Sequence, residues 1–322
     1  ININPMYKSR EIQEILVDSE AEYIFVLDKF YDELRPCIPN SNLKKIIVCK
    51  LTDLLSPTMR IVIPIVMFYK KQIVNIKKEN NLVFFKDIVS NNFSLEDVLI
   101  DDNDIALLQY TGGTTGKSKA AILTHKNLLS NVQQVSNWIE PHIEQGQEII
   151  ITALPLFHIF SFTVNCLTFL KLGSENVLIP NPRDLESFIG VLSKKKFTVI
   201  TAVNTLFNLL LTSKRFRDLD FSNFKFSVGG GMAVLSDTAH KWKEVTGTNI
   251  TQGYGLTETS PVVSINRISD TFNGSIGLPV QSTKIKIIDD DGNPVERNQP
   301  GELCVQGPQV MSGYWKIQDE KN

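Results

Sequence analysis

The chain has 322 residues, 42% hydrophobic and 21% charged, the make-up of a globular protein of about two domains or one large one. Its 33 Lys and Arg against 35 Asp and Glu leave a formal net charge of −2, which excludes the broad basic field of a nucleic-acid binder. Cys37, Cys49, Cys166 and Cys304 have neither metal nor disulfide spacing and read as reduced thiols of a cytoplasmic protein, and no apolar run reaches the ~18–20 residues of a membrane span.

From the N-terminus, Ser9–Ser19 has a helical pattern with Ile12, Ile15 and Leu16 on one face. Tyr23–Leu27 and Lys45–Val48 read as short buried strands of a parallel sheet. Residues 57–100 are rich in Lys, Asn and apolar side chains. Within them Ile61–Tyr69 is apolar, contains Pro64 and is flanked by Arg60, Lys70 and Lys71. It fits a connecting helix packed on the body, with docking on a membrane surface as the alternative. Ile105–Tyr110 reads as a strand that delivers a Gly/Thr-rich loop, Thr124 as a helix cap, and Ile149–Leu154 as a strand leading to His158. Helices at Leu185–Lys195 and Thr205–Thr212 alternate with strands at Thr198–Ala202 and Phe224–Val228, the latter running into Gly229–Gly231. This alternation predicts an α/β fold with a parallel sheet, whose strand-following loops converge on one crevice. After Ser275 the texture changes: Thr283–Ile288 and Glu302–Gln306, with the turn Asp289–Asn293 between them, predict antiparallel hairpins. The expected division is residues 1–274 as α/β layers and 275–322 as a small β-rich subdomain.

The segment Tyr110 to Lys119 carries the strongest chemical signal. Thr111, Gly112, Gly113, Thr114, Thr115 and Gly116 are followed closely by Lys117 and Lys119. Glycine lets the backbone approach a ligand, successive free N–H groups make a concavity for anions, and threonine hydroxyls can ligate a divalent ion. The chemistry is that of polyphosphate with magnesium. A Walker P-loop requires Gly at 111 to go with Gly116-Lys117-Ser118, and that residue is Thr, so the spacing misses by one position.

A second cluster runs Gln252-Gly253-Tyr254-Gly255-Leu256-Thr257-Glu258-Thr259. Tyr254 between two glycines offers an aromatic face on a flexible backbone for stacking a base. Thr257 offers a hydroxyl to a phosphate oxygen, and Glu258 a hard carboxylate to magnesium. A tight turn with a half-buried tyrosine is the plainer alternative for this segment taken alone.

The two segments together, in this order, resemble the nucleotide motifs of the adenylate-forming (acyl-CoA synthetase and luciferase-like) superfamily, with Lys119 in register and Ala120 where the superfamily has Gly. Asn4–Glu11, Leu154–Phe160, Asn181–Asp184, Val203–Asn208, Gly229–Met232, Gly301–Val305 and Gly307–Met311 are similar to segments of its bacterial long-chain fatty-acid–CoA ligases. The resemblance implies the large N-terminal domain of such an enzyme: two parallel-type sheets with flanking helices plus a small β-rich subdomain. It also implies truncation at both ends, loss of the small C-terminal domain, and incomplete catalysis by this fragment.

The activity implied is ATP- and Mg2+-dependent conversion of a fatty acid to acyl-AMP, then transfer to CoA. Loading of a carrier protein, or a non-catalytic nucleotide- or acyl-binding remnant, are the alternatives. By the same resemblance the backbone of Thr111–Gly116 cradles phosphates with Lys119 near them, and Thr111 and Glu258 attend the magnesium. Thr257 meets the α-phosphate and Tyr254 stacks on adenine. Gly230, Gly231, Gln252, Gly253 and Gly255 line the nucleotide slot. His158 lies near the carboxylate and the CoA path, and Phe160, Phe162 and Phe169 build or gate an acyl tunnel unless they are simply core. Peripheral contact with the inner face of the membrane and a homodimer stay open; no nucleic-acid partner is implied.

Overall fold

The structure, a computed structural model, describes residues 1–53, 55–69, 74, 76, 80–90, 94, 96–111 and 118–317. It divides into two compact units, residues 3–99 and residues 1–2 with 100–322. The change of texture after Ser275 falls inside the larger unit.

In residues 3–99, α1 (Ser9–Ser19) buries Ile12, Ile15 and Leu16, as its spacing predicts. Ile12 and Leu16 pack with Tyr31 and Leu34 of α2 (Tyr31–Leu34) and with Ile46 and Val48 of the sheet. That sheet is parallel, in the order β1 (Tyr23–Leu27), β2 (Lys45–Cys49), β3 (Leu82–Phe84). Only β2 is the buried strand expected of both; β1 lies at the edge and exposes Tyr23 and Phe25. Helix α3 (Pro57–Tyr69) forms through Pro64, but the expectation that it packs on the body fails, since most of its apolar side chains face solvent. A short α4 (Phe85–Val89) follows β3.

The larger unit opens with a hairpin, β4 (Ile105–Thr111) and β5 (Lys119–Thr124), paired antiparallel from Ile105 opposite Thr124 to Thr111 opposite Lys119. The strands on either side of the Gly/Thr segment are thus paired antiparallel, and not part of the parallel sheet. Residues Gly112 to Lys117 lie outside the described residues. Thr124 caps α5 (His125–Ile139), its hydroxyl accepting from the Asn127 N–H at 3.2 Å.

A seven-stranded sheet follows, in the order β12-β11-β10-β9-β8-β6-β7. Its strands are β6 (Ile149–Thr152), β7 (Glu175–Leu178), β8 (Val199–Ala202), β9 (Phe226–Gly229), β10 (Ile250–Gly255), β11 (Val262–Ile265) and β12 (Leu278–Pro279). The run from β7 to β10 is parallel, and β11 and β12 add antiparallel. Every residue of β8 is buried, because the sheet is covered on both faces. Ile151 and Ile200 point into one core, while their neighbours Ile150 and Val199 point into the other.

The first core takes Phe188 and Ile189 of α7 (Leu185–Leu192), Phe207 of α8 (Asn204–Thr212), Phe216 of α9 (Lys214–Arg217) and Trp242 of α10 (Ser236–Thr246). Phe216 stacks on Trp242 with ring centroids 5.4 Å apart. The second core takes Val135 and Ile139 of α5, Val164 of a π-helix at Ser161–Thr168, and Phe169 of α6 (Phe169–Lys171). Asn165 pins the π-helix to the sheet, donating to the hydroxyls of Thr201 at 2.6 Å and Thr152 at 3.1 Å. The β-rich end is one hairpin, β13 (Lys284–Ile288) with β14 (Glu302–Gln306), as the sequence predicts.

Beyond β14 the chain returns to the first hairpin. Tyr314 bridges Ala121 antiparallel, the Trp315 N–H donates to the Ala120 carbonyl at 2.8 Å, and Ile122 donates to Gly313 at 2.9 Å. Ala120 sits in a regular strand register opposite Tyr110 and its methyl is buried, so the departure from Gly at this position meets no backbone demand.

Candidate active site

The larger unit holds a cavity of about 550 Å³, within the roughly 300–1,000 Å³ of small-molecule sites. Its walls are of two kinds. Part of the lining is polar or glycine backbone: Thr111 and Lys119 at the facing ends of β4 and β5, Gly229 at the end of β9 with Gly230 and Gly231, Gly253–Glu258 from β10 and the turn beyond it, His158 and Tyr314. The rest is apolar: Val135 and Ile139 of α5, Val164 and Phe169, Phe226 and Val228 of β9, and Val262 and Ile265 of β11. Those apolar residues are the second core itself, so the cavity is an opening in that core that reaches the carboxyl edge of the sheet.

Among the polar lining residues, the Tyr314 hydroxyl donates to the Glu258 carboxylate at 2.7 Å, and the Lys119 ammonium lies 5.3 Å from the Tyr314 ring centroid. The Thr111 hydroxyl makes a long bond of 3.4 Å to the Lys119 carbonyl and keeps a lone pair for another partner. The Met311 N–H donates to the Glu258 carbonyl at 2.8 Å and fixes the turn that carries it. Tyr314 has no local sequence signal. Its place follows from the pairing of residues 312–315 with β5, a contact distant in sequence.

Gly231 has φ of +76°, which only glycine adopts freely, and a Cβ on Gly230 would lie 3.2 Å from the Phe160 ring. Gly253 and Gly255 both lie within β10 against β11, and at Gly255 the Pro261 backbone leaves no room for a Cβ. Tyr254 is half-buried between them.

Two expected lining residues sit elsewhere. Gln252 is buried with its amide spent on the backbone: its oxygen accepts from the Val234 N–H at 2.7 Å, and its nitrogen donates to the carbonyls of Ser275 at 2.9 Å and Gly274 at 3.2 Å. Gln252 is not among the residues that line the cavity. Phe162 packs with Leu107, Leu123 and Leu128 beneath the β4–β5 hairpin, whereas Phe160 and Phe169 line the cavity.

His158 has its ring at the cavity wall, open to the cavity's solvent yet surrounded by enough protein that desolvation holds its pKa below the ordinary 6.5. Its Nδ1 accepts from the Phe160 N–H at 3.3 Å, which places the proton of the neutral ring on Nε2. The ring is therefore neutral at pH 7. In an imidazole NMR titration His158 is expected to protonate below 6.5, because the folded state disfavours the cation. A midpoint at or above that of an exposed histidine would contradict this account.

Among the described residues no group of three or more His, Cys, Asp or Glu could hold a metal as a protein cage. What the cavity offers is one carboxylate, Glu258, with the hydroxyls of Thr257 and Thr111. That donor set suits magnesium, which keeps waters and substrate phosphates and takes one or two carboxylates from the protein.

Residues 1–315 match the AMP-binding enzyme family, and the chain belongs to it. It is 44% identical over 322 residues to a long-chain-fatty-acid–CoA ligase of Escherichia coli O6:H1, covering 99% of this chain and 57% of that one. It is 31% identical over 324 residues to the protein of the same name from Bacillus subtilis, covering 99% and 58%. Of solved structures, a long-chain-fatty-acid–CoA ligase from Archaeoglobus fulgidus superposes with a TM-score of 0.77 at 26% identity over 98% of this chain and 59% of that one. An anthranilate CoA ligase in complex with anthranoyl-AMP gives 0.83 at 24% identity over 98% and 56%, a likeness of fold. The chain spans about 57% of the length of the curated relatives it matches.

Proposed function

We propose that the protein containing this chain activates a long-chain fatty acid with ATP and passes it to CoA. The observation that carries the reading is one cavity lined both by Thr111, Lys119, Thr257 and Glu258 and by aliphatic and aromatic side chains. The names of the E. coli and B. subtilis relatives support the same reading.

The chemistry answers a definite difficulty, since a carboxylate has no adequate leaving group. One carboxylate oxygen attacks the α-phosphorus of ATP, the bond from that phosphorus to the β-bridging oxygen breaks, and pyrophosphate leaves. The acyl-adenylate then takes the CoA sulfur at its carbonyl carbon, and AMP leaves with the oxygen electrons. Magnesium, when bound, neutralises phosphate charge, and Glu258, Thr257 and Thr111 are the residues that would hold it with the nucleotide. Lys119 supplies positive charge beside the phosphates, and Tyr254 a face for the adenine. The neutral His158 donates from Nε2 to the carboxylate or carbonyl oxygen. Gly230 and Gly231 allow the close approach of the nucleotide. The apolar recess takes the acyl chain and excludes water from the reacting carbonyl. The protein's part is alignment and charge placement, and no protein nucleophile is needed.

The test uses the full-length protein, including any sequence flanking residues 1–322, with ATP, Mg2+, CoA and a mixed set of fatty acids, products being identified by mass spectrometry. Acyl-CoA with AMP and pyrophosphate is expected. Acyl-AMP without acyl-CoA overturns the choice of acceptor. ADP, or no turnover by well-folded protein, overturns the adenylation.

A further inference from the structure

The helix that follows His158 changes its winding part-way along. Over Ser161–Thr168 the backbone takes π geometry, a form met mostly as single-turn bulges and frequently at functional sites. Phe160, Val164 and Phe169, spaced four and five residues apart, all line the cavity. With i→i+5 bonds a π-helix has about 4.4 residues per turn, so the step from Phe160 to Phe169 makes about two turns and returns to the same side. At about 3.6 residues per turn an α-helix would make about two and a half turns over that step and end on the opposite side. The π segment is what brings both rings to the cavity wall.

Polar side chains hold the segment at its start, middle and end. The Ser161 hydroxyl donates to the Leu154 carbonyl at 2.9 Å, and the Thr168 hydroxyl to the Thr163 carbonyl at 2.9 Å. In the middle, Asn165 is fully buried. Besides its bonds to the hydroxyls of Thr152 and Thr201, its side-chain oxygen accepts from the Thr201 hydroxyl at 2.9 Å. Asn176 of β7 closes the set, accepting from the Thr152 hydroxyl and donating to the Asn165 carbonyl. This network adjoins the cavity without entering it. Val164 precedes Asn165, and Thr201 is the register partner of Val228 in β9; Val164 and Val228 line the cavity, while Asn165, Thr152, Thr201 and Asn176 do not.

Apolar side chains would fill this part of the core at a lower desolvation cost. A closed set of directed bonds does what they cannot: it admits one backbone arrangement and disfavours its neighbours. We propose that Asn165, with Thr152 and Thr201, is a positioning residue that holds the π-helix and so sets which acyl chain lengths the apolar part of the cavity accepts. The nature of the occupant rests on the fatty-acid reading above; the hold on the π-helix does not.

The test compares full-length wild-type protein with Asn165→Leu, Thr201→Val and Thr201→Ser, the last of which keeps the hydroxyl. Affinities for octanoic and palmitic acid are measured by displacement of a fluorescent fatty acid, acyl-adenylate formation from the same two acids is followed separately, and hydrogen exchange reports on the amides of residues 161–171. In Asn165→Leu and Thr201→Val the palmitate-to-octanoate affinity ratio is expected to shift about tenfold or more, the scale at which an apolar pocket tells chain lengths apart. Exchange over residues 161–171 is expected to quicken in both, and Thr201→Ser to keep the wild-type ratio. Thr201→Val, nearly isosteric, carries the test if Asn165→Leu does not fold. A lowered thermal midpoint with an unchanged ratio gives the network a role in stability alone and overturns the proposal, as does a Thr201→Ser variant that behaves like Thr201→Val. Wild-type protein that binds both acids and adenylates neither refutes the proposed reaction, while the affinity ratios still decide this inference. Wild-type protein that binds neither acid overturns both.

Discussion

Glu258→Gln in the full-length protein is expected to slow acyl-adenylate formation by about 10²–10³-fold, the scale seen when one preorganised electrostatic group is removed. Glutamine keeps the shape and an oxygen for the Tyr314 hydroxyl, which donates to Glu258 at 2.7 Å, and removes only the negative charge. The fold is therefore expected to survive while the affinity for magnesium in the ATP complex falls. Pyrophosphate–ATP exchange measured across a magnesium titration reads both quantities. Tyr314→Phe is the companion: it leaves the charge, frees the carboxylate to rotate, and is expected to raise the magnesium requirement with a smaller loss of maximal rate. Wild-type exchange at all magnesium concentrations in the Gln variant would remove Glu258 from the site chemistry.

The second large effect concerns stability. Gly255→Ala is expected to cost about 3 kcal/mol, the upper end of overpacking penalties, because nothing near it can yield. An added Cβ would stand 2.0 Å from the Pro261 carbonyl oxygen and 2.7 Å from its carbon, both backbone atoms of the chain leading into β11. The same oxygen accepts from the Leu256 N–H at 3.1 Å, so the clash would open the turn that carries Thr257 and Glu258. Gly190→Ala is the control: it lies inside α7 with nothing within 4 Å, and alanine there is expected to be neutral or stabilising by up to about 1 kcal/mol. Urea midpoints at constant slope compare the two, and equal midpoints would refute the packing account.

What the sequence made legible was whatever carries its own chemistry or its own period. The three apolar positions of α1, the Thr124 cap, the β13–β14 hairpin and the alternation of strand and helix all express local rules. Thr111, Lys119, His158, Gly230, Tyr254, Thr257 and Glu258, singled out by residue type and motif, all line one cavity. The misreadings share a cause, which is that direction and partnership are not local. Gln252 has the right chemistry for a nucleotide, but its amide is bonded to the backbone of Val234, Gly274 and Ser275. Gly255 looks flexible in sequence, but the backbone of Pro261 occupies the space a side chain would need. Phe162 and Phe160 are close in sequence, yet a helical turn sends one beneath the hairpin and the other into the cavity. Strands β11 and β12 are too short to show a period, and Tyr314 reaches Glu258 only because its segment pairs with β5.

That last pairing has a bearing on how the protein is made. Synthesis runs from the N-terminus, and domains fold as their chain emerges. The β4–β5 hairpin is translated early, but the segment that flanks β5 and supplies the partner of Glu258 is translated only after β14. Much of the sheet can therefore be complete on the ribosome while the hairpin still has a bare edge and Glu258 lacks its tyrosine. A nascent chain arrested before residue 312 would carry most of this core without the segment that flanks β5 and holds the Glu258 carboxylate.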